Sequence, residues 1–311
     1  MQKFYTQSMQ EILKVLQEQV LSLHVKEKLS FEVLNPDIAT STYSGNFITI
    51  NNIEYMYRTY KSWIDLAHIL GCRMLTPTCK DTNFVIISYE KLNHDESFHN
   101  VITNKEKKYG TASIFSKIHK NQEASFLHTY LQALENVHVN KRTRILNLGV
   151  NSGNEFELIK EVAREFENLE LVGIDYCASA IKEASEKFST CKNVIFYTHD
   201  INDMSSLNLS QFDLIISIGT LQSTNLEFNQ VIMNIVQNYL KKDGAIILGF
   251  PNCRWVGGEM IYGARVKNYP FSEMGLLYKD VIFAKKYLQQ KKYRVTVTGK
   301  DYIFVTATSI R

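Results

Sequence analysis

The chain has 311 residues, 45% of them hydrophobic and 22% charged, the composition of a folded protein with room for one large domain or two modest ones. Its 14 Gly and 4 Pro leave little for flexible linkers, and a net charge of +3 is too slight to argue nucleic-acid binding by itself. There is no apolar run of about 18 residues to span a membrane and no secretion signal, and five scattered cysteines without C-x-x-C spacing predict reduced thiols in the cytoplasm, with neither a disulfide frame nor a metal site.

Tyr5, Met9, Ile12, Leu13, Leu16, Val20 and Leu23 fall at helical spacing. They predict an amphipathic helix over 4–23 that packs on its own domain or pairs with a second copy or a partner. Asn46–Ile50 and Ile53–Tyr57 flank Asn51-Asn52 as a hairpin. Lys61–Leu70 reads as helix, and Arg73–Leu75 and Asn83–Tyr89 as strands. These make a small α+β unit over residues 1–100 whose function the sequence does not assign. The polar stretch His94–Lys108 is the predicted boundary, leaving residues 101–311 as a second domain. Tyr109–Val137 reads as mostly helical and leads into the first strand of that domain.

Residues 144–153 carry the most information. An apolar run (Ile145, Leu146, Leu148) breaks into a turn with Gly149 and Gly153, and a helix follows from about Glu155 with Phe156, Ile159, Ala163 and Phe166 on one face. Strand, glycine turn and helix bring bare backbone and a helix N-terminus up to a cofactor. Dinucleotide sites want G-x-G-x-x-G; this chain offers G-x-x-x-G, with Asn151 between the glycines. Asp175 ends the next predicted strand, Leu169–Asp175, where an acid accepts from both hydroxyls of a ribose. Asp200 ends the strand after that, Asn193–Asp200; with the backbone N–H of Ile201 it matches the edge of an adenine amino group. A nicotinamide site has no standing use for this second acid. Strand four, Phe212–Thr220, ends in small residues, Ser217 and Gly219, which leave room for a ligand tail. Near the C-terminus, Lys292–Thr298 and Tyr302–Thr308 are alternating runs joined by three residues, so they form an antiparallel hairpin.

The motifs NLGVNSG, LVGIDY, YTHDI, FDLIISIGTLQ and LKKDGAIILGF, in this order and spacing, resemble those of the class I S-adenosylmethionine-dependent methyltransferases over roughly residues 109–311. The resemblance implies an α/β fold, a Rossmann-like seven-stranded sheet closed by an antiparallel C-terminal hairpin, beside the small N-terminal α+β unit. It implies S-adenosylmethionine as cofactor. The matching positions are Asn147, Gly149, Asn151, Ser152, Gly153, Asp175, Tyr176, Asp200, Ile201, Ser217 and Gly219. It also implies a lid over the cofactor from residues 109–137, with Tyr109, Lys120 and Glu123 near the methionine end or the substrate, or else Lys120 and Glu123 as solvated helix residues. The family usually has an acid at Asn147 and a glycine at Asn151. Asn tolerates left-handed backbone, so the turn survives. Asn147 still accepts from the methionine amino group, but without charge and at a partly solvated position.

The acceptor is expected at the carboxyl ends of the strands. The loop after strand four offers Gln222 in a run from Gly219 to Thr224; the loop after strand five (Ala245–Phe250) runs from Pro251 past Tyr269 and Phe271 to Tyr278. Tyr109, Gln222, Asn252 and Arg254 are the substrate-binding candidates, with Arg254 for an anionic group. Glu259 and Tyr262 are the candidates for a catalytic base. SIGTLQ replaces the Asn/Asp-Pro-Pro-Tyr/Phe motif of enzymes that methylate amino groups of bases or glutamine. Cys253 and His199 read as structural. Lys279–Lys300 is rich in Lys and Arg, either a solvated face or a strip that tracks phosphates. The preferred reading is a cytoplasmic methyltransferase acting on a small, anionic metabolite. The alternatives are an RNA (tRNA) methyltransferase and a non-catalytic S-adenosylmethionine-binding protein.

Overall fold

The computed structural model describes residues 1–96, 108–223, 226–264 and 274–310. Much of the predicted boundary His94–Lys108, and Thr224, Tyr269 and Phe271 of the predicted substrate loops, lie outside the described residues. Contacts divide the chain into two units: Met1–Asn100 with Trp255–Ile261, and Val101–Arg254 with Tyr262–Arg311. Among the described residues no helix is long and apolar enough to cross a membrane.

In the first unit, β1 (Gln2–Phe4) pairs in parallel with β2 (Lys28–Leu34), which pairs antiparallel with β7 (Phe84–Lys91). β5 (Cys72–Met74) and β6 (Thr78–Cys79) both pair with β7. Helix α1 is shorter than predicted, Met9–Ser22, because Gln2–Phe4 is taken into the sheet and Ser8 starts the helix. Ser8 Oγ accepts from the Glu11 N–H while the Glu11 carboxylate accepts from the Ser8 N–H, a reciprocal cap. Ile12, Leu16 and Val20, spaced by four, pack with Phe31, Trp63, Ile87 and Tyr89, so α1 buries its apolar face within its own unit. Ser8→Ala should cost α1 about 1 kcal/mol, read as faster hydrogen exchange of its amides. Unchanged exchange would mean the cap is dispensable.

The hairpin of β3 (Phe47–Ile50) and β4 (Ile53–Met56) turns on Asn51 and Asn52, both at positive φ (51° and 62°), which Asn accommodates. Helix α2 (Tyr60–Ile69) follows. Strands β2 and β6 were not read from the sequence.

The second unit holds a seven-stranded sheet in the order β10-β9-β8-β11-β12-β16-β15. Its strands are β8 (Arg144–Leu148), β9 (Glu170–Asp175), β10 (Val194–Thr198), β11 (Phe212–Ile218), β12 (Leu240–Pro251), β15 (Tyr293–Gly299) and β16 (Tyr302–Ser309). Pairing is parallel from β10 through β12 and antiparallel at β12–β16 and β15–β16, so the C-terminal hairpin closes the sheet as expected. The order reverses between β8 and β11, the place where open α/β sheets part their strand ends to admit a ligand. Fully buried Leu146, Val172, Ile215, Ile246 and Val305 form the middle of the core, and near-continuous apolar strands are what a sheet covered on both faces requires.

Three predicted elements are corrected. The helix after the glycine turn, α4 (Asn154–Val162), ends before Ala163, and Phe166 is buried in a separate 3₁₀ turn, Phe166–Asn168. Of the predicted helical stretch 109–137, Tyr109 and Ala124–Asn136 (α3) are α-helix, while Phe115–Lys117 and Lys120–Gln122 are single 3₁₀ turns. The predicted loop after strand five opens with a hairpin, β13 (Cys253–Val256) with β14 (Glu259–Tyr262), and Tyr278 lies within α7 (Gly275–Gln290). The remaining helices are α5 (Ala178–Lys187) and α6 (Phe228–Asn234), which continues into a π-helical turn, Ile235–Tyr239.

Candidate functional site

The turn after β8 is held in left-handed backbone: φ is 75° at Gly149, 45° at Asn151 and 82° at Gly153. Asn151 occupies the left-handed region that the sequence required of it. A Cβ at Gly149 would collide with Thr220 after β11, and one at Gly153 would meet Phe188 at 2.9 Å, so both glycines permit close approach as well as a turn. Ser217 Oγ donates to the Leu148 carbonyl at 3.0 Å and ties the ends of β11 and β8 together. Ser217 thus serves as a structural clasp between the two strand ends. Gly219 (φ 73°) faces Pro251.

Asp175 closes the next strand against this turn. Its carboxylate accepts from the N–H groups of Asn151 (2.9 Å) and Cys177 (2.9 Å). Burial lifts the Asp175 carboxyl above its ordinary value, the N–H groups of Cys177, Asn151 and Tyr176 oppose the lift, and the Glu155 charge adds to it. Three backbone N–H groups still leave the carboxylate capacity for a further donor. Burial, and then the Asp175 charge, raises the Tyr109 phenol. The Tyr109 carbonyl accepts from Asn151 Nδ2 at 3.4 Å. Tyr176 is exposed. Asp200 caps the 3₁₀ helix Ile201–Leu207, with its side chain accepting from the Asn202 N–H at 2.9 Å. It lies two residues beyond the end of β10, not within it as the sequence reading had it.

Asn147 departs from expectation. It is 1% exposed, not partly solvated, and neither Oδ1 nor Nδ2 has a hydrogen-bond partner among the described residues. Buried amides are rarely left so, because each unmet group costs about 1–3 kcal/mol. A ligand that brings a donor to this strand end would satisfy Asn147, and the methionine end of S-adenosylmethionine carries one. With the glycine turn open to close approach and Asp175 free to accept more, these residues fit that cofactor.

Lys120 is not a solvated helix residue. Its side chain is 13% exposed, and Nζ lies 3.0 Å from Oε1 of buried Glu155. Asn121 Nδ2 donates to the Asn154 carbonyl at 2.9 Å, a second tie between residues 120–121 and the start of α4. A cleft of 1250 Å³ is lined in part by Phe115, Lys120, Asn121, Asn151, Ser152 and Glu155.

The substrate candidates separate. Asn252 is 3% exposed; its Nδ2 donates to the Lys300 carbonyl and its N–H to the Asp301 carbonyl, so it binds the turn of the C-terminal hairpin. Gln222 has Oε1 buried without a partner among the described residues. Arg254 is half-buried, one residue past buried Cys253 in β13. Glu259 groups with the first unit, 3.9 Å from Arg73 Nη1. Tyr262 groups with the second unit, is 49% exposed, and donates to Met274 Sδ at 3.3 Å. Sequence reasoning missed Glu155, Tyr130 and Asp301. A glutamate beside Phe156 in the first turn of an apolar-faced helix was the one available signal.

A family model describing a methyltransferase domain matches residues 139–296, just over half of the chain. The chain belongs to this family, the class I S-adenosylmethionine-dependent methyltransferases, whose cofactor is S-adenosylmethionine. This methyltransferase is 28% identical over 142 residues to a carboxy-S-adenosyl-L-methionine synthase of Helicobacter pylori, a match covering 46% of this chain and 54% of that protein. It is 25% identical over 160 residues to one of Staphylococcus epidermidis, covering 50% and 66%. The chain thus spans about half to two thirds of the length of these relatives. Among solved structures it is similar to the N-methyltransferase NodS from Bradyrhizobium japonicum WM9, at 15% identity and a TM-score of 0.42, covering 61% of this chain and 99% of that one.

Proposed function

We propose that the chain is a cytoplasmic enzyme that uses S-adenosylmethionine to methylate a small, anionic metabolite. The observation that supports this most is Asn147, buried and without a hydrogen-bond partner among the described residues, beside a glycine turn that Asp175 closes. When bound, S-adenosylmethionine supplies an electrophilic methyl group on a sulfonium. Asp175 accepts from the ribose hydroxyls, Asp200 with the Ile201 N–H meets the adenine edge, and Asn147 Oδ1 accepts from the methionine ammonium. Gly149, Asn151, Ser152 and Gly153 offer backbone, with Tyr176, Ser217 and Gly219 bordering the site. Tyr109, Gln222, Asn252 and Arg254 are the proposed acceptor contacts, Arg254 taking the anionic group. Glu259 or Tyr262 takes a proton if the acceptor must lose one. Covalent catalysis by Cys253 is disfavoured, since burial and then Asp301 push its thiol up to about 12 and keep it protonated at neutral pH.

Calorimetry tests the cofactor assignment: S-adenosylhomocysteine should bind and NAD should not, and binding of NAD instead would remove the reading. Asn147→Asp should tighten S-adenosylmethionine binding, since the methionine ammonium gains a charged partner at a buried position. The same change should lower the thermal stability of the cofactor-free protein, because a carboxylate would then be buried alone. Weakened cofactor binding would show that Asn147 acts as a donor.

The likeness to carboxy-S-adenosyl-L-methionine synthases supports a second reading, in which this chain makes carboxy-S-adenosylmethionine. A carboxylated product calls for a cation near the reacting end; Lys120 is paired with Glu155, so Arg254 is the candidate for that role in this reading. Mass spectrometry after incubation with S-adenosylmethionine and cell extract separates the two: S-adenosylhomocysteine marks methyl transfer, and a carboxylated cofactor marks the second reading.

A further inference from the structure

In the second unit, the ends of β12 and β16 and the start of α3 enclose a corner rich in hydrogen-bond acceptors. Asn252 Nδ2 is committed to the Lys300 carbonyl at 2.9 Å, so its buried Oδ1 is fixed as an acceptor, and it has no partner among the described residues. Asn121 is arranged the same way, with Nδ2 on the Asn154 carbonyl and Oδ1 buried and unmet. Tyr130 is 0% exposed and its hydroxyl is also unmet. Two carboxylates are buried here, Glu155 at 3% and Asp301 at 5% exposure. Asp301 accepts from Ser125 Oγ at 2.7 Å, and Lys120 is paired with Glu155. The remaining nearby base, Lys300, is 3.7 Å from Asp301 but 68% exposed.

These groups are linked by contacts: Ser125 at the start of α3 donates to Asp301, Lys120 Nζ lies 5.5 Å from the centre of the Phe126 ring, and Lys120 pairs with Glu155. The aromatic lining is Phe126, Tyr130, Tyr302 and Phe304, with Phe126 and Tyr302 edge to face at 5.0 Å.

We propose that this corner seats the reacting end of the acceptor and that this end is an amine. The proposal rests on the methyltransferase reading and deepens it: the anionic group assigned to Arg254 then belongs to another part of the same small molecule. An amine brings N–H donors to the unmet oxygens of Asn252 and Asn121, and its ammonium form brings positive charge to Asp301 and to the aromatic faces. For methyl transfer the ammonium first loses one proton to solvent; the nitrogen lone pair then forms the new N–C bond as the S–C bond breaks, with S-adenosylhomocysteine leaving as the thioether. A carboxylate would set acceptors against acceptors and add like charge in a site of low dielectric. The neighbouring cleft, lined by Lys120, Asn121 and Glu155, gives room for the rest of the ligand.

The test uses the full chain saturated with S-adenosylhomocysteine and titrated, by calorimetry and ligand-observed NMR, with three probes that share one ring: benzylamine, benzyl alcohol and benzoate. Benzylamine should bind about tenfold or more tighter than benzoate, the gain of one charge-assisted contact, and Asp301→Asn should remove most of that preference. Benzoate binding as tightly, or no binding of benzylamine, overturns the amine assignment. If Asp301→Asn does not fold, the three-probe comparison on the unmodified chain still decides. Failure of S-adenosylhomocysteine to bind would instead remove the methyltransferase reading, so the two failures are distinct.

Discussion

Replacing Asp175 by Ala should weaken S-adenosylmethionine binding by about 1.5–3 kcal/mol, because charge-assisted bonds to the ribose hydroxyls are lost. A second contribution runs the same way. The Asp175 carboxylate accepts from the Asn151 N–H, and Asn151 is held at positive φ in the cofactor turn. Removing the carboxylate frees that turn. Asp175→Asn separates the two contributions, since it keeps an acceptor but removes the charge. Calorimetry reads both variants. Unchanged affinity in Asp175→Ala would show that the acid is a turn clasp and not a ligand contact.

Arg254→Ala should lower turnover about a hundredfold while leaving cofactor affinity nearly unchanged, if the acceptor is small and anionic. Methyl transfer depends on alignment, and a misplaced acceptor costs about that much. An RNA acceptor predicts the reverse rank. Neutralising Lys285, Lys286, Lys291 and Lys292 together should then cause the larger loss, with the salt slope falling by nearly one unit per lost phosphate contact. Lys285 and Lys286 are exposed on α7, and Lys291 and Lys292 follow its end, a placement that also suits a solvated face. Turnover unmoved by either set would count against both acceptor classes.

The cofactor turn was legible because its chemistry is local. Gly149, Asn151 and Gly153 announce positive φ within five residues, Asp175 follows at the end of an apolar strand, and Asp200 lies two residues past the end of the next. The C-terminal hairpin was legible for the same reason, since two residues between Gly299 and Tyr302 permit no crossover. The acceptor corner was not. Asp301 and Ser125 are 176 positions apart, Asn252 and Lys300 are 48 apart, and Glu155 finds Lys120 across 35. No periodicity encodes such pairings. The 109–123 stretch misled as a helix because its polar ties are remote in sequence: the Tyr109 carbonyl accepts from Asn151 in the glycine turn, and the Asn121 side chain donates to the Asn154 carbonyl at the start of α4. The run after β12 misled as an open loop because a hairpin of four-residue strands leaves only a short alternation to read. Solvation of Asn147 was misjudged because burial at a strand end depends on what covers it, and that cover comes from remote sequence.

The most direct measurement is transfer of an isotopically labelled methyl group from S-adenosylmethionine into a cell extract that is then separated into small-molecule, RNA and protein fractions. The account predicts label in the small-molecule fraction, on an anionic species, with S-adenosylhomocysteine formed in equal amount. Label in RNA, or tight cofactor binding with no transfer to any fraction, would contradict it.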